Sequence, residues 1–94
     1  GLAFKPDIDD LRESPAVNIT QVVASINTGN TIAVEPNITE LPASLKNGVK
    51  LEKIHPAIMA ADIILLLVDH KEFRVLNKKA LANRIIIDTK GIWT

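Results

Sequence analysis

Cysteine is absent from all 94 residues, so no disulfide, thiolate metal site or thiol nucleophile can come from this chain. Net charge is absent as well: 11 basic and 11 acidic residues cancel, which disfavours a nucleic-acid surface but leaves local cation clusters free to hold phosphate. The longest apolar run, Ile63 to Val68, falls far short of the ~20 residues that cross a bilayer, and the first residues lack a signal-peptide pattern. No membrane partner is expected, and a cytoplasmic location is. Neither a G-x-x-x-x-G-K-[ST] phosphate loop nor a G-x-G-x-x-G dinucleotide loop occurs. These residues alone therefore cannot bind a nicotinamide cofactor in the usual way.

What is present suits one globular domain, with 47% hydrophobic and 23% charged residues. Ser14-Pro15 reads as a helix start, the hydroxyl capping free N–H groups and proline standing at the first helical position. Ile19, Val22, Val23 and Ile26 follow at helical spacing, and Gly29 stands where a C-terminal cap belongs. Thr31 to Pro36 reads as a short buried strand, and residues 37–48 as a loop or irregular helix. His55-Pro56 opens a second helical stretch through Ala61, with His55 as its cap. Ile63 to His70 is a strand that must be covered on both faces. Phe73, Val75, Leu76 and Leu81 predict a third helix, and Arg84 to Gly91 a last strand with a polar end. Gly1 to Phe4, with no initiator methionine, reads as the tail of a buried strand cut from a longer protein. The order β-α-β-α-β-α-β predicts an α/β fold, a Rossmann-like three-layer sandwich with a mainly parallel sheet and right-handed crossovers.

In such sheets ligands bind beyond the carboxyl ends of the strands. The segments to inspect are then Lys5 to Glu13, Glu35 to Asn37, Asp69 to His70 and Asp88 to Gly91. A strand-to-helix connection usually takes about 2–6 residues. The first one here runs to nine, with two cations and four carboxylates. Lys5 at the strand exit and Arg12 just before the helix, beside free N–H groups and the positive end of the helix dipole, could hold a diphosphate. The alternative is a solvated network in which the two cations pair with Asp7, Asp9, Asp10 and Glu13. No metal site is expected, because "DIDD" has neither the glycine nor the terminal glutamate of a calcium loop. His55 and His70 are read as structural, and Phe73 and Trp93 as packing residues. "DTKG" at Asp88 to Gly91 resembles a GTPase switch, but without a phosphate loop it carries no such function.

Together, "GLAFKPDIDDLRESPA", "VEPN", "LLLVDH" and "DTKGIW" resemble the C-terminal domain of the UDP-sugar 6-dehydrogenases, a branch of the UDP-glucose/GDP-mannose dehydrogenase family. The wording is most similar to the branch acting on UDP-N-acetyl-D-mannosamine. The resemblance implies an enzyme that oxidises the sugar's primary alcohol to a carboxylate with NAD. The cofactor-binding domain, the middle domain and the catalytic groups would lie outside residues 1–94, leaving no catalytic residue here and a truncated first strand. It further implies that Phe4 and Lys5 contact the UDP-sugar, that Lys90 stands where many relatives place an arginine on the UDP, and that Arg12 reaches across the cleft to NAD. The implied partners are a UDP-sugar, the remaining domains of the parent chain and further copies of it, as a homodimer or higher oligomer, with no nucleic acid. Two other readings are a relative acting on UDP-N-acetylglucosamine or UDP-glucose, and a non-catalytic protein-interaction module.

Overall fold

The computed structural model describes residues 1–93. Pro15–Ile26 forms helix α1, with Ser14 as N-cap and Pro15 in the first turn. The Ser14 hydroxyl does not cap. It is buried and donates to the Leu2 carbonyl oxygen at 2.7 Å, tying the helix start to the first residues of the chain. The inward face of α1 also differs from the expected stripe: Ala16, Val17 and Thr20 are buried, whereas Ile19, Val22 and Ile26 are exposed. Two overlapping stripes satisfy helical spacing here, and Thr20 can join the inner one because its hydroxyl donates back to the Ala16 carbonyl at 2.8 Å. The helix ends on Asn27, which is extended, and Gly29 lies beyond this cap, donating its N–H to Asn27 Oδ1 at 3.2 Å.

Strand β1, Ile32–Ala33, pairs in parallel with β2, Lys50–Leu51, a strand that the irregular stretch before it hides in the sequence. Helix α2, Ile54–Ala60, starts one residue before His55, with Lys53 as its N-cap, so His55 lies inside the first turn. Strand β3, Ile63–Leu66, pairs in parallel with β4, Ile85–Asp88. Between them the expected third helix shrinks to one turn, α3 at Lys71–Arg74, and a 3-10 turn at Lys78–Leu81 that Asn77 caps by accepting the Lys79 N–H. Arg84 fastens β4 to α2, its Nε donating to the Ile58 carbonyl at 2.7 Å.

The described residues thus make a mixed domain with parallel strands in two two-stranded sheets. Gly1 to Phe4 does not form a strand. β3 and β4 are not covered on both faces either: Ile63, Ile85 and Ile87 are exposed. The principal core gathers Leu2, Val17, Ala33, Leu41, Leu45 and Val49. Full burial of each such leucine or valine contributes about 1.5–3 kcal/mol.

An apolar cleft of about 520 Å³ lies along both sheets and takes in Ile32, Val34, Ile63, Leu65 and Leu67. Its walls are open strand edges. Lys50 N–H reaches Thr31 O and Glu52 N–H reaches Ala33 O, so alternate residues of β1 serve β2 and the peptide groups of Ile32 and Val34 turn the other way. Ile85 N–H reaches Asp62 O and Thr89 N–H reaches Leu66 O, which turns Ile63 and Leu65 away from β4 by the same alternation.

Candidate functional site

Glu35 follows β1 and His70 follows β3, and they meet. His70 Nε2 stands 2.6 Å from Glu35 Oε1, and neither side chain has any exposed surface. His70 Nδ1 accepts the Asp7 N–H at 2.8 Å, so this nitrogen is unprotonated and Nε2 carries the proton donated to Glu35. Glu35 Oε1 also accepts the N–H groups of Leu2 and Ala3, at 2.8 and 3.0 Å, while Oε2 accepts the main-chain and side-chain N–H groups of Asn37. Burial alone would push the Glu35 carboxyl up. The donors of Leu2, His70 and Asn37 outweigh it and hold the carboxyl below its ordinary value of 4.5.

This junction sets the path of the first loop. Ala3 is fixed by Glu35 and Asp7 by His70, so Phe4, Lys5 and Pro6 form a span with an anchor on each side. Asp7 has a left-handed backbone, φ 63°. That conformation costs a non-glycine residue roughly 1–2 kcal/mol. It is held by the His70 bond and by the Lys71 N–H, which donates to Asp7 Oδ1 at 2.7 Å. Phe4 is half exposed, and its N–H donates to Asp10 O across the loop at 2.9 Å. The Lys5 side chain is exposed and makes no hydrogen bond or ion pair with the described residues. Arg12 behaves differently. Its Nε and Nη2 donate to the two carboxylate oxygens of Asp10, each at 3.1 Å, with the Arg12 side chain 89% exposed. The solvated pairing considered for both cations therefore forms at Arg12 and not at Lys5.

The end of β4 is organised locally. Asp88 Oδ1 accepts the N–H groups of Lys90 and Gly91, and Oδ2 that of Trp93. Desolvation opposes the Asp88 charge more than any one donor favours it, but these donors and the Ile92 N–H together prevail and keep its carboxyl below the ordinary range. Gly91 takes the turn at φ 72°, a conformation glycine adopts without strain. The Lys90 side chain is exposed. The Trp93 indole donates to the Phe73 carbonyl at 2.9 Å, and Phe73 is buried against His70 with ring centroids 5.5 Å apart.

Since Glu35 joins His70, and β3 runs parallel to β4, Lys5 and Lys90 share the carboxyl-end side of the strands. The sequence pointed to that side and to Lys5, and the family resemblance to Lys90. Neither showed that Glu35 and His70 form one unit. Their positions at the ends of "AVE" and "LLLVDH" were the available signal, but nothing in the sequence pairs residues 35 apart.

A parallel α/β domain with polar loops at the strand carboxyl ends is the class that this geometry defines. The model of the UDP-glucose/GDP-mannose dehydrogenase family, UDP binding domain, matches residues 1–94, and the chain belongs to that family. It is 48% identical over 93 residues to the UDP-N-acetyl-D-mannosamine dehydrogenase of Yersinia pestis and 50% identical over 93 residues to that of Salmonella typhi, covering 99% of this chain in each case. It is also 50% identical, over its full 94 residues, to an NDP-N-acetyl-D-galactosaminuronic acid dehydrogenase of Ralstonia solanacearum. The chain spans 22% of the length of each of these relatives. No solved structure gives a significant match.

Proposed function

We propose that this chain is the UDP-binding domain of an NAD-dependent UDP-N-acetyl-D-mannosamine 6-dehydrogenase, the C-terminal part of an enzyme that oxidises the sugar's primary alcohol to a carboxylate. The observation that carries the reading is Lys5: a lysine without an acidic partner, on a loop anchored on both sides, at the strand end where α/β domains bind ligands. Its ammonium meets the diphosphate, Phe4 packs beside it, and Lys90 adds a second positive charge from the β4 end. Holding the nucleotide end rigidly orients the distant sugar carbon, a contribution made as proximity and not as bond-making.

The described residues build no cradle for a dinucleotide: of the four glycines only Gly91 has a positive φ, and none opens a helix after a strand. NAD is therefore assigned to the remaining domains, with Arg12 as this chain's contact to it. Residues 1–94 form one domain whose layered sheet is completed by a strand preceding Gly1. The support is the apolar cleft, whose two walls are bare parallel edges, with Gly1 and Leu2 among its lining residues. The parent is placed in the cytoplasm as a homodimer or higher oligomer, and no described helix is long and apolar enough to cross a membrane.

The test is NADH formation by the full-length protein with a panel of UDP-sugars. UDP-N-acetylmannosamine should give the highest kcat/KM, and residues 1–94 alone should form no NADH, having no cysteine and no dinucleotide loop. The equal similarity to the Ralstonia relative favours one second reading, another N-acetylhexosamine on a nucleoside diphosphate, and a different best substrate in the panel would establish it.

A further inference from the structure

Glu35 and His70 have no role in the reading above, yet they are 3% and 0% exposed, the most deeply buried ionisable residues described. A buried polar pair gives little net stability over well-packed apolar side chains, so its place under one loop asks for another explanation. What it binds is selective. Three of its donors are main-chain N–H groups of residues 2, 3 and 7, which bracket Phe4, Lys5 and Pro6. Among the groups facing the imidazole from other elements are Glu35, the Asn37 amide at 3.4 Å from Nδ1, the Asp7 carboxylate at 4.0 Å, and Gly1, which packs close to the ring.

We propose that Glu35 and His70 are positioning residues for the Lys5 loop. They set its backbone before any ligand arrives, so that binding does not have to order it. This rests on the reading of Lys5 as a ligand contact. The two ring nitrogens divide the work: Nε2 locks the pair, and Nδ1 holds Asp7 in its left-handed conformation.

The division can be tested in the full-length protein. In His70→Asn the amide oxygen stands near the Nδ1 position and can still accept the Asp7 N–H. In His70→Gln the amide nitrogen can reach Glu35, but the acceptor for Asp7 is gone. His70→Gln is expected to raise KM for the UDP-sugar about tenfold with kcat within about twofold, and His70→Asn to recover most of that loss. Lys5→Ala added to His70→Gln should cost much less than it does in the wild type. Lowered melting temperature with unchanged KM, no recovery in His70→Asn, or independent multiplication of the Lys5 and His70 effects would each overturn the proposal. If Lys5→Ala alone leaves KM unchanged, the ligand reading of Lys5 fails and takes this inference with it. A Lys5 effect without coupling to His70 removes this inference alone. Should the variants not fold, the wild-type protein decides. The His70 nitrogen spectrum should show Nδ1 bare, and the Ala3 and Asp7 amides should resist exchange equally with and without UDP. Protection that appears only with UDP would show a loop ordered by its ligand, against the proposal.

Discussion

The loop carrying Lys5 is held by partners 32 to 64 residues away, whereas the loop carrying Lys90 is held by an aspartate two residues before it. Both lie on the carboxyl-end side of the strands, and both present a lysine. The first exists only once β1 and β3 have been brought together, because Glu35 and His70 come from different sheets. The second is a turn around Asp88, joined to the rest of the fold through Thr89 on the Leu66 carbonyl and the Trp93 indole on the Phe73 carbonyl. Distant, buried anchoring gives a loop whose geometry is coupled to the whole fold, and local anchoring gives one that tolerates change nearby.

That contrast can be broken in several places, the largest effect first. Glu35→Ala leaves the N–H groups of Leu2, Ala3 and Asn37 and the His70 Nε2–H without their acceptor, and should cost about 3 kcal/mol or more of domain stability in denaturant titrations followed at Trp93. Asp88→Ala, whose bonds to Lys90 and Gly91 are exposed and whose bond to Trp93 is part-buried, should cost about 1 kcal/mol or less in the same titration. Equal losses would erase the distinction between the loops. Next, Lys5→Ala should raise KM for the UDP-sugar about ten- to a hundredfold, the scale of one charge-assisted hydrogen bond, and move KM for NAD far less.

Arg12→Ala should weaken NAD several-fold while UDP-sugar kinetics and melting hardly change, because its pairing with Asp10 is an exposed one. Arg12→Lys should recover part of the loss, since the planar fork is missing. Lowered melting with both KM values intact would reduce Arg12 to its pair with Asp10. The last effect is one of pH. The folded Glu35 carboxyl lies below 4.5, so its contribution is full above the unfolded value and fades as pH falls through the folded one. The stability difference between wild type and Glu35→Gln should accordingly be constant near neutrality and shrink in acid. A difference that grows in acid would mean the carboxyl is raised.

Elements marked by local chemistry were legible in the sequence: Ser14-Pro15 starts α1, "IILL" forms β3, and "IIID" forms β4. Local rules failed where two patterns compete. α1 carries two apolar stripes, and the inner one runs through Ala16, Val17 and Thr20, which hydropathy alone ranks second to the isoleucines. β1 and β2 are two residues each, too short for periodicity to separate from loop. Ser14 and Gly29 were placed at the right boundaries with the wrong bonds, since the hydroxyl found Leu2 and the cap fell to Asn27. Lys5 and Arg12 stand out in the sequence as charge in an overlong loop. The support of the Lys5 loop does not, because Glu35, His70 and Asp7 meet only in the folded chain.

The affinity of UDP for the full-length protein, measured by calorimetry in wild type and Lys5→Ala over a range of salt, tests the placing of Lys5 most directly. UDP has no sugar and takes no part in hydride transfer, so it reports on the nucleotide end alone. Binding should be at least about tenfold weaker in Lys5→Ala, with a shallower dependence on salt because one cation no longer faces the diphosphate. Equal affinities with parallel salt dependence would contradict the placing of Lys5 on the diphosphate.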